Sequence, residues 1–292
     1  MNTIIYIITL LFLMSCSTTS KRDTDNISEK DFKKVKEILY KAEDDRLLVS
    51  KDRTYPLLRE ESFSRDGRIS SIKESSSLDE LTVLCYKKKF KEAFDLVKEN
   101  SSRYKRNPIF WNQVGACFML KGERRKAILF FNKALEFKAS YAPAYNNLGA
   151  LYKREGADQK SLVAFTRSKK SSRYAKTPLL NLGHLYLEYG LREQALSIFK
   201  GLYNLSSIDI DVLNGLAISY LMKNNIKESL FYYRKMDEDL FEKPHFGINY
   251  SVALYRSGSK KKARKVLKNI NKKNLKAWKE YYRDLMKSFG DN

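Results

Sequence analysis

The chain is 292 residues long and carries 56 Lys and Arg against 34 Asp and Glu, a formal net charge of +22. With 43% hydrophobic and 13% aromatic residues, it is too apolar for a disordered polyelectrolyte and long enough for a continuous core. Three cysteines exclude a disulfide-built scaffold, and two histidines leave little material for metal or general-base chemistry.

Ile4 to Met14 is a charge-free apolar run of eleven residues, too short to span a bilayer, which needs about 20. It ends in Leu13-Met14-Ser15-Cys16 and passes into a polar stretch. Residues 1–15 resemble a bacterial lipoprotein signal peptide, although Met1 to Thr3 carry no Lys or Arg. The resemblance implies cleavage and acylation of Cys16, and more than one acyl chain gives lasting membrane attachment. Ser17, standing where an Asp would retain the protein at the inner membrane, implies the outer membrane, facing the periplasm. Residues 16–29 then form a tether. Within 30–73, Phe32, Val35, Leu39 and Ala42 mark an amphipathic helix over about 30–48, followed by an irregular connection with Pro56, Gly67 and a serine run.

From residue 74 to 273 one grammar recurs. Small residues fall every 34 positions, at Ala93, Ala127, Ser161, Ala195, Ser229 and Ala263. Twelve residues upstream of these lie Leu81, Gly115, Gly149, Gly183, Ala217 and Ser251. Four residues downstream lie Val97, Phe131, Phe165, Phe199, Tyr233 and Leu267. A third register, Gly122, Gly156, Gly190, Asn224 and Gly258, suits a chain reversal between two helices, with Lys88 the exception in the first unit. Pro108, Pro143, Pro178 and Pro244 fall at the expected starts of first helices, where a missing N–H costs little. Ser77-Leu78-Asp79-Glu80 reads as a capping box opening the first repeat. Gly247 stands where a bulky residue is usual. Leu275, Trp278, Tyr282, Leu285 and Phe289 make the apolar stripe of a final capping helix over 274–292.

These residues resemble the tetratricopeptide repeat, a 34-residue helix–turn–helix unit with a W-x2-L-G-x2-Y…A-x3-F pattern. Trp111, Val114, Gly115, Phe118, Ala127 and Phe131 carry it in the second unit, and Leu179, Leu182, Gly183, Tyr186, Ala195 and Phe199 in the fourth. The resemblance implies an all-α, right-handed superhelix of about six units, with first helices lining a concave groove and second helices forming the outer face. The expected groove residues are Asn112, Met119, Asn146, Asn147, Lys153, Leu180, Asn181, His184, Leu187, Asn214, Ile218, Leu221, Asn249 and Tyr255. A partner's helix or extended segment would lie there. The asparagines share two adjacent repeat slots, and their amides can serve either a peptide backbone or one another.

The charge excess sits in residues 107–270, at net +15, and within them on second helices and turns such as Arg124–Lys126 and Lys260–Lys262. A basic outer face, combined with a secretion signal, argues against nucleic acid as the ligand. The acidic run Asp237-Glu238-Asp239 reads as a solvated turn. Cys85 and Cys117 lie on adjacent first helices; two separate buried thiols are expected, although helix spacing of about 8–10 Å allows a bridge. No phosphate loop, nucleophile elbow or zinc motif is present, so no enzyme, cofactor or metal is expected. The sequence points to a membrane-anchored scaffold of the bacterial envelope, similar to the pilotins of type IV pilus secretins or to adaptors of cell-wall enzymes. The competing expectation is a structural protein that associates with membrane or cell wall through its basic outer face.

Overall fold

The computed structural model describes residues 77–172, 175–275 and 278–290. The expected signal peptide, Cys16, the tether and the helix over 30–48 lie outside the described residues. The described residues form thirteen α-helices and no strand. Six helix–turn–helix pairs follow one another: α1 (Ser77–Tyr86) with α2 (Phe90–Asn100), α3 (Pro108–Lys121) with α4 (Arg124–Phe137), α5 (Ala142–Arg154) with α6 (Asp158–Ser171), α7 (Lys176–Glu188) with α8 (Arg192–Leu205), α9 (Ile210–Met222) with α10 (Ile226–Tyr233), and α11 (Pro244–Arg256) with α12 (Lys260–Asn269). A final helix, α13 (Lys279–Ser288), follows the sixth pair.

Each pair turns on one residue in the left-handed region, 34 positions after the last: Lys88 (φ 57°), Gly122 (86°), Gly156 (72°), Gly190 (69°), Asn224 (58°) and Gly258 (85°). Glycine adopts this conformation freely. Lys88 adopts it at a cost of about 1–2 kcal/mol, because its Cβ crowds the following carbonyl.

The small residues of the repeat are all fully buried. The upstream glycines have a steric reason. A Cβ on Gly115 would stand 2.6 Å from the Phe131 ring, one on Gly149 2.6 Å from Phe165, and one on Gly183 2.8 Å from Phe199. Each large ring therefore lies directly on the first-helix backbone of its own unit. First helices form the inner layer and are buried nearly all round, as in α9 from Val212 to Ser219. Second helices form the outer layer and bury one stripe, as with Ala195, Leu196, Phe199 and Leu202 in α8. The core runs the length of the stack in two clusters, and Tyr186 and Ile198 pack against both.

Unit five breaks the regularity. Its second helix, α10, has 8 residues, whereas α4, α6 and α8 have 14. The chain then forms a 3-10 helix over Glu238–Glu242. The acidic run expected as a solvated turn thus continues into an ordered element whose Leu240 and Phe241 are buried. This accounts for Gly247, since a Cβ there would lie 2.0 Å from the Phe241 carbonyl oxygen.

Cys85 and Cys117 form a disulfide, against the expectation of two separate thiols. Their Cα atoms are 5.2 Å apart. The spacing of helix axes overstates the separation of residues on the two facing sides, which is what decides whether a bridge forms. The cross-link spans 32 residues of sequence and contributes about 3–4 kcal/mol on the loop-entropy account. At the other end Leu275, Trp278, Tyr282 and Phe289 are buried. Phe289 stacks on Tyr255 at 4.1 Å, and Arg264 Nε donates to its carbonyl at 2.5 Å.

Candidate partner-binding groove

The fourteen residues expected to line a groove all lie on first helices, from α3 to α11. Thirteen of them are buried, and only Tyr255 is part-exposed. They do not present an open apolar surface. Met119 belongs to the N-terminal core cluster, and Leu180, Leu187, Ile218 and Leu221 to the C-terminal one. Their burial at spacings of 3 and 4 reflects packing against neighbouring helices, and the sequence pattern alone does not separate that from lining a groove.

The amides use the internal alternative. Asn147 Nδ2 donates to Asn112 Oδ1 at 3.1 Å, and Asn181 Nδ2 donates to Asn146 Oδ1 at 2.9 Å. Both rungs span 35 positions, one repeat plus one residue, and so tie each first helix to the next. Leu180 and Gly215 occupy the two slots of the next rung, and the ladder stops there. Asn214 and Asn249 stand at the same offset in units five and six, but no bond joins them. The buried Asn214 side chain has no hydrogen-bond partner at either amide atom, and Asn249 Oδ1 has none. Such an atom costs about 1–3 kcal/mol when left unpaired.

Lys153 was expected to bring charge to the groove. It is instead 4% exposed, with Nζ 2.8 Å from Asp158 Oδ1 and 2.6 Å from Glu188 Oε1. Tyr189 donates its hydroxyl to Asp158. Glu188 lies at the same 35-residue offset from Lys153, so this ion pair is the charged counterpart of an amide rung. Asp158, Glu188 and Tyr189 were missed in the sequence; the shared offset is the signal that would have found Glu188, whereas Asp158 and Tyr189 stand outside it.

His184 is buried and meets the Phe199 ring edge-on at 5.2 Å. Burial lowers the pKa of His245 to about 4, well below the usual imidazole value, and its ring packs on Phe246 at 4.1 Å. Desolvation also holds the fully buried Tyr233 phenol well above its ordinary value. No three His, Cys, Asp or Glu side chains come together as a metal set among the described residues.

The outer layer holds the basic surface. Arg124, Arg125, Lys126 and Lys260 to Lys262 are exposed. Several cations lie over aromatic rings: Lys133 over Trp111 at 4.2 Å, Lys126 over Phe118 at 5.3 Å and Lys160 over Tyr152 at 5.6 Å. These contacts keep the charged ends outside while their stems cover apolar surface.

Among solved structures the chain is similar to PilW, a widely conserved type IV pilus biogenesis factor, with a TM-score of 0.56 and 16% identity over 73% of this chain and 97% of that one. It is similar to PilF of Pseudomonas aeruginosa, with a TM-score of 0.54 and 15% identity over 66% of this chain and 90% of that one. The fold is a tetratricopeptide-repeat solenoid. No protein-family model and no curated protein matches the sequence.

Proposed function

We propose that this solenoid is a membrane-anchored scaffold of the bacterial cell envelope that holds a segment of a partner protein along its inner layer and assists assembly of an envelope complex. One observation carries the partner reading. The amide ladder is closed through units two to four and ends at Asn214, whose buried amide has no partner. A partner backbone can satisfy that amide as donor and acceptor at once, and because Asn214 is fully buried it does so only by opening the inner layer beside α9. The likeness to a pilus biogenesis factor supports the scaffold reading at the level of fold alone. The envelope reading rests on the run from Ile4 to Cys16, and the Cys85–Cys117 bridge agrees with an oxidising compartment such as the periplasm.

The test places a photo-crosslinking amino acid at Tyr255 in cells, in the natural sequence and with Asn214→Leu. A discrete adduct that is lost with Asn214→Leu, while the melting temperature is kept or raised, is the expected result. An adduct of unchanged yield overturns the role of Asn214. Cys16→Ala should move the protein out of the membrane fraction, and continued membrane retention would refute the lipid anchor.

A further inference from the structure

Unit five contains a second recognition feature, independent of the inner layer. Because α10 stops after 8 residues, the last turns of a full-length second helix are missing. The 3-10 helix Glu238–Glu242 packs back against α11 instead and leaves a cleft of about 590 Å³ between itself and α12. That volume falls within the roughly 300–1,000 Å³ of sites for small ligands.

The cleft is built from three chemically distinct parts. Its apolar part comes from Phe241 and Tyr250, largely buried and stacked at 4.1 Å, and from the part-exposed Val266. Tyr233, fully buried, backs both rings at 6.1 and 5.2 Å and holds them in place. One wall carries the carboxylates of Glu238, Asp239 and Glu242. Lys262 and Lys265 line it from α12. All five are exposed, and among the described residues no ion pair joins Glu238, Asp239 or Glu242 to Lys262 or Lys265.

The distribution of charge along the chain makes this site unlike the rest of the stack. Residues 205–242 hold seven acidic and four basic side chains, whereas residues 243–270 hold eight basic and none acidic. The cleft lies on the boundary between these two stretches. A ligand carrying only positive charge would be repelled by the lysines, and one carrying only negative charge by the carboxylates. A ligand carrying both, separated by an apolar group that covers the rings, satisfies each set of charges with its opposite.

We infer that this cleft binds a short amphoteric peptide, with a cationic side chain on the Glu238–Glu242 wall, an anionic one on Lys262 and Lys265, and an apolar residue between them on Phe241 and Tyr250. Gly247 is a positioning residue for the site, because only a residue without a Cβ admits the Phe241 carbonyl and lets the acidic wall close on α11.

The test titrates acetyl-Lys-Leu-Glu-amide into the full chain, with the amide resonances of Phe241, Tyr250 and Val266 as readout. Saturable shifts at these three residues are expected. Acetyl-Lys-Leu-Lys-amide and acetyl-Glu-Leu-Glu-amide should each bind at least tenfold more weakly. Lys262→Glu combined with Lys265→Glu, both exposed and compatible with the fold, should weaken the mixed peptide at least tenfold and favour acetyl-Lys-Leu-Lys-amide instead. Val266→Trp, which fills the cleft, should abolish the shifts. Absent saturation, equal binding of the three peptides, or unchanged preference in the double variant would each overturn the inference.

Discussion

Units two to four and units five to six use one repeat grammar to different ends. In the former, three polar pairs cross the inner layer at one repeat plus one residue: Asn112 with Asn147, Asn146 with Asn181, and Lys153 with Glu188. In the latter, Asn214 lacks a partner, the second helix is cut short, and a cleft with unpaired charge opens beside it. The first region is tied from unit to unit by these pairs, which supply rigidity, and leaves single atoms such as Gln113 Oε1 unmatched. The second carries unmet hydrogen-bonding and charge capacity, which is what recognition requires.

The largest break in this contrast should come from Lys153→Met. It strands Asp158 and Glu188 as buried carboxylates without their cation and should cost about 3–5 kcal/mol in denaturant unfolding. A loss below about 1 kcal/mol would show that the first region does not depend on this pair.

His245 tests the second region by pH. Its folded pKa is about 4 and the unfolded value 6.5, so the unfolded chain takes up the proton first as pH falls. Stability should therefore decline between pH 6.5 and about 4 by up to about 3 kcal/mol and be unaffected by this group above pH 6.5. In His245→Gln this contribution to the slope should vanish; an unaltered slope would assign it elsewhere.

The amides give the sharpest pairwise comparison. Asn181→Leu removes a rung to Asn146 and should destabilise by about 1–3 kcal/mol. Asn214→Leu removes an amide with no partner and should leave the melting temperature unchanged or raise it. Equal losses from both would erase the distinction between the two regions. The smallest effect is expected at the edge of the stack: Lys88→Gly relieves a left-handed non-glycine residue and should stabilise by about 0.5–1 kcal/mol, since glycine's greater freedom in the unfolded chain offsets part of the gain.

Much of the fold could be read from residues alone because its causes are local and recur. The left-handed turn at Gly122 and its equivalents, the ring of Phe131 against Gly115, and the proline at the head of α3 and α11 are each decided by sterics within one unit. The site was harder to read because its causes lie between units. An asparagine on a first helix satisfies the same periodicity whether it faces a ligand or a neighbour, and the 35-residue offset only marks where a rung can form, since Asn214 and Asn249 share it without a bond. The shortened α10 was hidden for a related reason. The residue that records it, Gly247, answers a carbonyl at Phe241, outside the period. The cysteine bridge was missed because facing residues come closer than helix axes do.

A linear stack has only neighbour contacts and peels from its termini. The bond between Cys85 and Cys117 turns one of those termini into a closed ring. Under tension, the first unit stays fastened to the second until a covalent bond is cut. The far end is fastened by the Tyr255–Phe289 stack and the Arg264 hydrogen bond, and it yields first. The molecule therefore has a direction of mechanical failure, from its last unit inward, with the cleft of unit five among the first features lost and the paired ladder among the last.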